Sequence, residues 1–261
     1  YYDAQTFDCR LVIINALQAK KHTAKIFTHS PFISTQREEK YWISTLKISN
    51  TLKKIKSKIL VNATGPWADL LNDQLNIKTP YHLSLVQGSH IVVDKLYENN
   101  LAYILQNIDG RIIFTIPYQK NFTLIGTTDH ILDAVPSHCK ITEEEITYLL
   151  TIVNKNFNKQ LQKKDIIHTY SGIRPLIENK KTVLSKNISR DYKIHSDNKK
   201  ALYSCIFGGK LTTYRLLSKD VVDSWKVIFP KIEKSRSHKL PLPGSKFKSL
   251  NELIRNIKSY Y

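Results

Sequence analysis

The chain has 261 residues, 41% of them hydrophobic, and a formal net charge of +18 from 40 lysines and arginines against 22 acidic residues. That length allows one large or two ordinary domains, and no apolar run approaches the ~20 residues of a membrane-spanning helix. Cys9, Cys139 and Cys205 are scattered, with no C-x-x-C spacing; this argues against a disulfide scaffold and a metal centre and fits a reducing, cytoplasmic setting.

Only eight of the basic residues are Arg. The lysine-rich stretches LKKIKSK, KQLQKKD and ENKKT lack the arginine and aromatic interleaving of modules that stack or read bases. A solvated lysine surface accounts for them, attraction to an anionic substrate or membrane surface comes next, and no nucleic-acid partner is expected. The sequence begins with Tyr1 and contains no Met, so it reads as a piece of a longer protein. YYDAQTFDCRLVII also lacks the basic-then-apolar-then-small order of a signal peptide.

Along the chain, apolar positions Phe7, Leu11, Ile14 and Leu17 predict a helix from Phe7 to Ala19. AKIFTHSPFI, YWISTLKI and KSKILVNATG read as strands, the last as a buried run Ile59 to Ala63 that meets Thr64-Gly65-Pro66 and the helix start PWADLLND. From His82 the texture is antiparallel: LVQGSHIVVD, AYILQN, RIIFTIPY and NFTLIGTTDH, separated by turn signals at Asp109-Gly110 and Gln119-Lys120-Asn121. Thr142 with Glu145 is a capping box opening a helix to about Asn158. IIHTYSGIRPL is a strand closed by Arg174-Pro175, and the stretch from Glu178 to Lys200 reads as loop with a short strand. ALYSCIF and a helix from Lys210 to about Ile228 restore α/β character; PLPG at 241–244 is a linker, and FKSLNELIRNIKSYY an incipient helix.

The junction CIFGGKLTTYR places two glycines where a strand hands over to a helix. A helix N-terminus offers unpaired N–H groups and partial positive charge, glycine lets a ligand approach the backbone, and Lys210, Thr212 and Thr213 add a charge and hydroxyls. It is not a phosphate-binding P-loop, because Leu211 follows the lysine and no glycine stands at the required upstream position. On its own, the motif equally fits a plain glycine helix start with a surface lysine.

VNATGPWADLLND, LVQGSHIVVD, AYILQN, RIIFTIPY, FTLIGTTDH, TYSGIRPL, SRDY and FGGKLTTYR occur in this order. Together, over residues 1–225, they resemble the FAD-dependent, quinone-linked glycerol-3-phosphate dehydrogenases. The resemblance implies a mixed α/β (α+β) fold: an incomplete glutathione-reductase-like FAD-binding domain with an inserted antiparallel-sheet substrate domain. The implied boundaries are 1–80 for the partial FAD domain, 81–200 for the substrate domain, 201–229 for the return to the FAD domain, and 230–261 for a linker and the start of a helical domain. It implies FAD contacts from Ala63, Thr64, Gly65, Gly208, Gly209, Lys210, Leu211 and Thr212, with Lys210 and the helix N-terminus supporting negative charge on the reduced flavin. Arg174 would hold the anionic substrate, His90 would act as base on its C2 hydroxyl, and Lys210 and Thr128 would join the substrate side. Each has a plainer alternative: a strand-end arginine in a surface ion pair, a core histidine satisfied by backbone, and Thr127-Thr128-Asp129 as a turn without chemistry. Tyr170 and Tyr214 read as packing residues.

The partners implied are glycerol 3-phosphate, a quinone and the inner face of the plasma membrane. The sequence departs from the family where the dinucleotide fingerprint G-x-G-x-x-G is concerned: these 261 residues contain none. A companion N-terminal polypeptide is the partner this implies, with an inactive remnant of a split gene, or another FAD-dependent amine or hydroxy-acid oxidoreductase, as the rival readings. The chain by itself is expected to bind FAD weakly or not at all, so flavin absorbance co-purifying at near-unit stoichiometry would contradict this reading.

Overall fold

The computed structural model describes residues 6–178, 191–245 and 248–259. The expected loop over 178–200 lies partly outside them, as does the start of SRDY. In chain order come α1 (Asp8–Lys21), β1 (Phe32–Arg37), β2 (Trp42–Ile48), β3 (Thr51–Ser57), β4 (Ile59–Asn62) and α2 (Ala68–Gln74). Next are β5 (Leu83–Asp94), β6 (Tyr103–Gln106), β7 (Ile112–Tyr118), β8 (Phe122–Gly126), β9 (His130–Leu132), α3 (Glu143–Asn156) and β10 (Ile166–Ile177). The chain closes with β11 (Tyr192–Asp197), β12 (Leu202–Gly208), α4 (Tyr214–Ser224) and α5 (Leu250–Lys258). The fold is mixed α/β, with antiparallel sheets ordered β1–β2–β3 and β10–β5–β8–β7–β6, β9 pairing β5, and a third sheet ordered β11–β12–β4.

Two compact units divide the chain: Tyr1–Val61 with Ser196–Ser204 and Lys210–Tyr261, and Asn62–His195 with Cys205–Gly209. In the first, Trp42 is buried and its indole N–H donates to the Leu202 carbonyl at 2.9 Å. The Arg37 guanidinium lies over that ring and donates to the Ala201 and Asp197 carbonyls and the Asp197 carboxylate. These bonds tie β1 and β2 to segments about 160 residues later and satisfy the backbone acceptors of Asp197, Ala201 and Leu202. Helix α1 carries Asp8 in its first turn and Lys20 and Lys21 in its last, complementing its dipole, and buries no side chain.

Several expectations are corrected in this unit. Residues 24–31 of AKIFTHSPFI are not strand; His29 has a left-handed φ of 50° and Pro31 has no N–H to give a ladder, so β1 starts only at Phe32. LKKIKSK keeps the solvated lysine surface expected of it, and the structure adds that it is largely β3, the edge of its sheet, where exposed lysines guard unpaired backbone against another chain. Ser49 and Asn50, both at positive φ, form the two-residue hairpin before it. The helix expected from Lys210 begins and ends as 3-10 turns around α4.

The second unit is built on its six-stranded sheet. Alternate residues of β5 face opposite sides, and Ile91 and Val93 join Leu105, Ile113 and Ile125 against Leu149, Ile152 and Val153 of α3. That core covers one face. On the other face lie Val86, Gly88 and His90 of β5 with Tyr170, Gly172 and Arg174 of β10. Pro175 does not close β10: the ladder continues to Ile177, because β10 is an edge strand and a missing N–H is tolerated there.

Candidate active site

Arg174, opposite Val86 in the ladder, lays its guanidinium over Gly88, where a Cβ would stand 2.3 Å from both terminal nitrogens. Only hydrogen fits beneath it. Nη1 donates to the Thr128 carbonyl and to Asp129 Oδ1, both at 3.2 Å, and Nη2 to Thr127 Oγ1 at 2.5 Å. The side chain is still 29% exposed, so the cation is held by these bonds and yet reaches solvent.

His90 sits between Gly126 of β8 and Tyr170 of β10. A Cβ on Gly126 would lie 2.1 Å from the imidazole Cδ2, and the ring stacks on Tyr170 at 4.8 Å and 8°. Burial, and second the Arg174 charge, push its pKa down to about 4, so the ring is neutral at pH 7. Its Nδ1 is, among the described residues, the one buried side-chain nitrogen or oxygen without a hydrogen-bond partner. Unfolding restores an ordinary imidazole, which takes up a proton near pH 6.5; the neutral ring's contribution is therefore intact above pH 6.5 and is lost as pH falls toward 4, at most about 3 kcal/mol. Thermal midpoints followed from pH 7 to 4 are expected to fall more steeply for the unaltered chain than for His90→Gln.

Thr128 is only 2% exposed. Its hydroxyl accepts from the Ser89 N–H at 2.9 Å and donates to Glu145, so its carbonyl, rather than its side chain, meets Arg174. The expected substrate-side hydroxyl is thus turned inward. Glu145, buried on α3, also closes the capping box: it accepts from the Thr142 N–H at 2.8 Å, and Gln87 donates to it at 3.4 Å. The sequence marked Glu145 as a cap, but nothing in it signals the reach to Thr128.

Ala63, Thr64 and Gly65 form the turn after β4. Buried Asn62 accepts from the Thr64 hydroxyl at 2.7 Å and donates to the Ala68 carbonyl at 2.9 Å, and Gly65 takes φ 61°. The 3-10 turn that Gly65 opens comes within 8 Å, Cα to Cα, of β10. Gly208 and Gly209 have φ of 69° and 99°. A Cβ on Gly208 would stand 2.5 Å from the Asp191 carbonyl, so the chain's own packing already requires a glycine there.

Lys210, Leu211 and Thr212 belong to the other unit and are exposed. The Lys210 N–H donates to Thr213 Oγ1 at 3.3 Å, and that hydroxyl donates to the Lys210 carbonyl at 3.0 Å. Thr213 therefore serves its own turn. The Lys210 ammonium has no carboxylate partner among the described residues. No metal-holding group of His, Cys, Asp or Glu occurs among the described residues, and no described helix is long and apolar enough to cross a membrane.

Comparison with known proteins places this geometry in a family. Residues 1–215 match the model of the FAD dependent oxidoreductase family. The chain is 41% identical to a glycerol-3-phosphate dehydrogenase of Pseudomonas aeruginosa, aligned over 100% of the chain and 52% of that protein. It is 40% identical to the aerobic glycerol-3-phosphate dehydrogenase of Escherichia coli, over 94% and 50%. Among solved structures, the glycerol-3-phosphate dehydrogenase of Bacillus halodurans complexed with FAD matches with a TM-score of 0.83 and 26% identity, over 98% of this chain and 50% of that one. The chain thus spans about half the length of the curated relatives it matches. With a family model covering most of its length and both ladders of the Arg174 and His90 strands in place, the chain belongs to the FAD-dependent oxidoreductase family.

Proposed function

We propose that this chain carries the substrate-handling part of an FAD-dependent oxidation of glycerol 3-phosphate to dihydroxyacetone phosphate. One observation carries the reading: a partly exposed guanidinium, fixed over Gly88, stands beside a neutral imidazole on the sheet face opposite α3. The names of the relatives support the substrate.

Arg174 binds the anionic substrate through charge-assisted hydrogen bonds. With Nδ1 buried, Nε2 is the His90 nitrogen left to take the C2 hydroxyl proton. A bound phosphate dianion offsets the Arg174 charge, which removes one of the two causes of the low His90 pKa and strengthens the base when substrate is present. FAD, when bound, accepts the hydride leaving C2. The turn Ala63–Gly65 is a candidate for its flavin end; a role for Lys210 in offsetting the negative charge of reduction rests on family resemblance alone. No residue series here fits its pyrophosphate, since the glycine fingerprint is lacking. A quinone as final electron acceptor, and attachment at the inner membrane face, extend the proposal on family resemblance alone.

NMR titration of His90 tests the reading. Saturating glycerol 3-phosphate is expected to move its pKa up from about 4, whereas glycerol, glycine and sarcosine leave it in place. An equal response to glycerol, or a response to sarcosine alone, counts against the assignment.

A further inference from the structure

Three glycines lie on the sheet face that carries Arg174 and His90, and the chain itself explains two. Gly88 makes room for the guanidinium and Gly126 for the imidazole. Gly172 is different. It is exposed in the middle of β10, between Tyr170 and Arg174 and opposite Gly88. A Cβ there would meet nothing within 4 Å, and its φ lies outside the left-handed region. Packing and backbone geometry would both accept a side chain, while a glycine within a strand loses backbone entropy and marks a place where something approaches closely.

The geometry points to Gly172 as a specificity-determining position, the bare floor on which the carbon chain of a short, unbranched polyol phosphate lies. Its phosphate meets Arg174 and its secondary hydroxyl meets His90. From Tyr170 to Arg174 the strand backbone runs four residues, roughly 13 Å, and the guanidinium reaches back over Gly88, so the shorter stretch left between the aromatic ring and the cation suits a three- or four-carbon chain and no bulkier one. This rests on the proposed role of Arg174 and His90 and adds what sets the size of the substrate.

The test uses the purified 261-residue chain, with Gly172→Ala, Gly172→Val and Arg174→Ala, titrated by NMR with glycerol 3-phosphate and separately with inorganic phosphate. Gly172→Val is expected to keep its thermal midpoint and to lower the ratio of glycerol 3-phosphate to phosphate affinity tenfold or more, with Gly172→Ala in between. Arg174→Ala is expected to weaken both ligands. If the ratio is unchanged in Gly172→Val while Arg174→Ala weakens both, the inference falls and the reading of Arg174 stands. A drop in the thermal midpoint of Gly172→Ala also overturns it, by showing that the glycine serves the fold. If Arg174→Ala binds both ligands as the unaltered chain does, or the unaltered chain binds neither, the reading of the site falls and this inference with it.

Discussion

Replacing Arg174 with alanine is expected to weaken glycerol 3-phosphate binding about 100-fold. Hydrogen bonds to a charged group contribute about 1.5–3 kcal/mol each, and about 1.4 kcal/mol is a factor of ten. Arg174→Lys keeps a charge but loses the planar fork and is expected to recover only part of the affinity. An independent readout comes from His90, because the guanidinium charge is one of the two causes that lower its pKa. That pKa should therefore rise in Arg174→Ala without any ligand. An arginine serving only its ion pair with Asp129 would leave ligand affinity unmoved, and a pair this exposed contributes little to stability.

The second large effect is expected at Glu145. Its carboxylate closes the α3 capping box, receives the Gln87 amide and accepts the Thr128 hydroxyl whose residue holds Arg174. Glu145→Ala removes a cap, about 1 kcal/mol, and strands buried groups at about 1–3 kcal/mol each. With the Gln87 amide and the Thr128 hydroxyl both stranded, the sum is about 3–7 kcal/mol, a thermal shift on the order of 10 °C. Glu145→Gln keeps the shape and an acceptor and is expected to lose about half as much. A midpoint for Glu145→Ala within 2 °C of the unaltered chain would show that this network carries no weight.

Much of the fold was legible from local signals. Thr142 followed by Glu145 announced α3, and strand-length apolar segments from His82 onward, separated by turn signals at Asp109-Gly110 and Gln119-Lys120-Asn121, announced the antiparallel sheet. The candidate residues emerged from an ordered series of motifs more than from any one of them. What stayed hidden depends on register and tertiary reach. LKKIKSK looked like a solvated charge run because an edge strand and a lysine surface share one composition. Pro175 looked like a terminus because only the sheet order reveals that β10 has one neighbour. Thr128 was placed on the substrate side by resemblance, with a plain turn as the alternative, because sequence cannot say which side of a turn meets a carboxylate on a helix 17 residues further on. Gly88, Gly126 and Gly172 look alike in the sequence; only the side chains above them separate their roles.

The most direct measurement is an NMR footprint of glycerol 3-phosphate on the chain. The largest shifts are predicted at the Arg174 guanidinium, the His90 ring and the Gly172 amide, with Leu149 and Ile152 on the covered face of the sheet unmoved. Shifts confined to exposed lysines such as Lys53, Lys54 and Lys56, with Arg174 and His90 silent, would contradict the account.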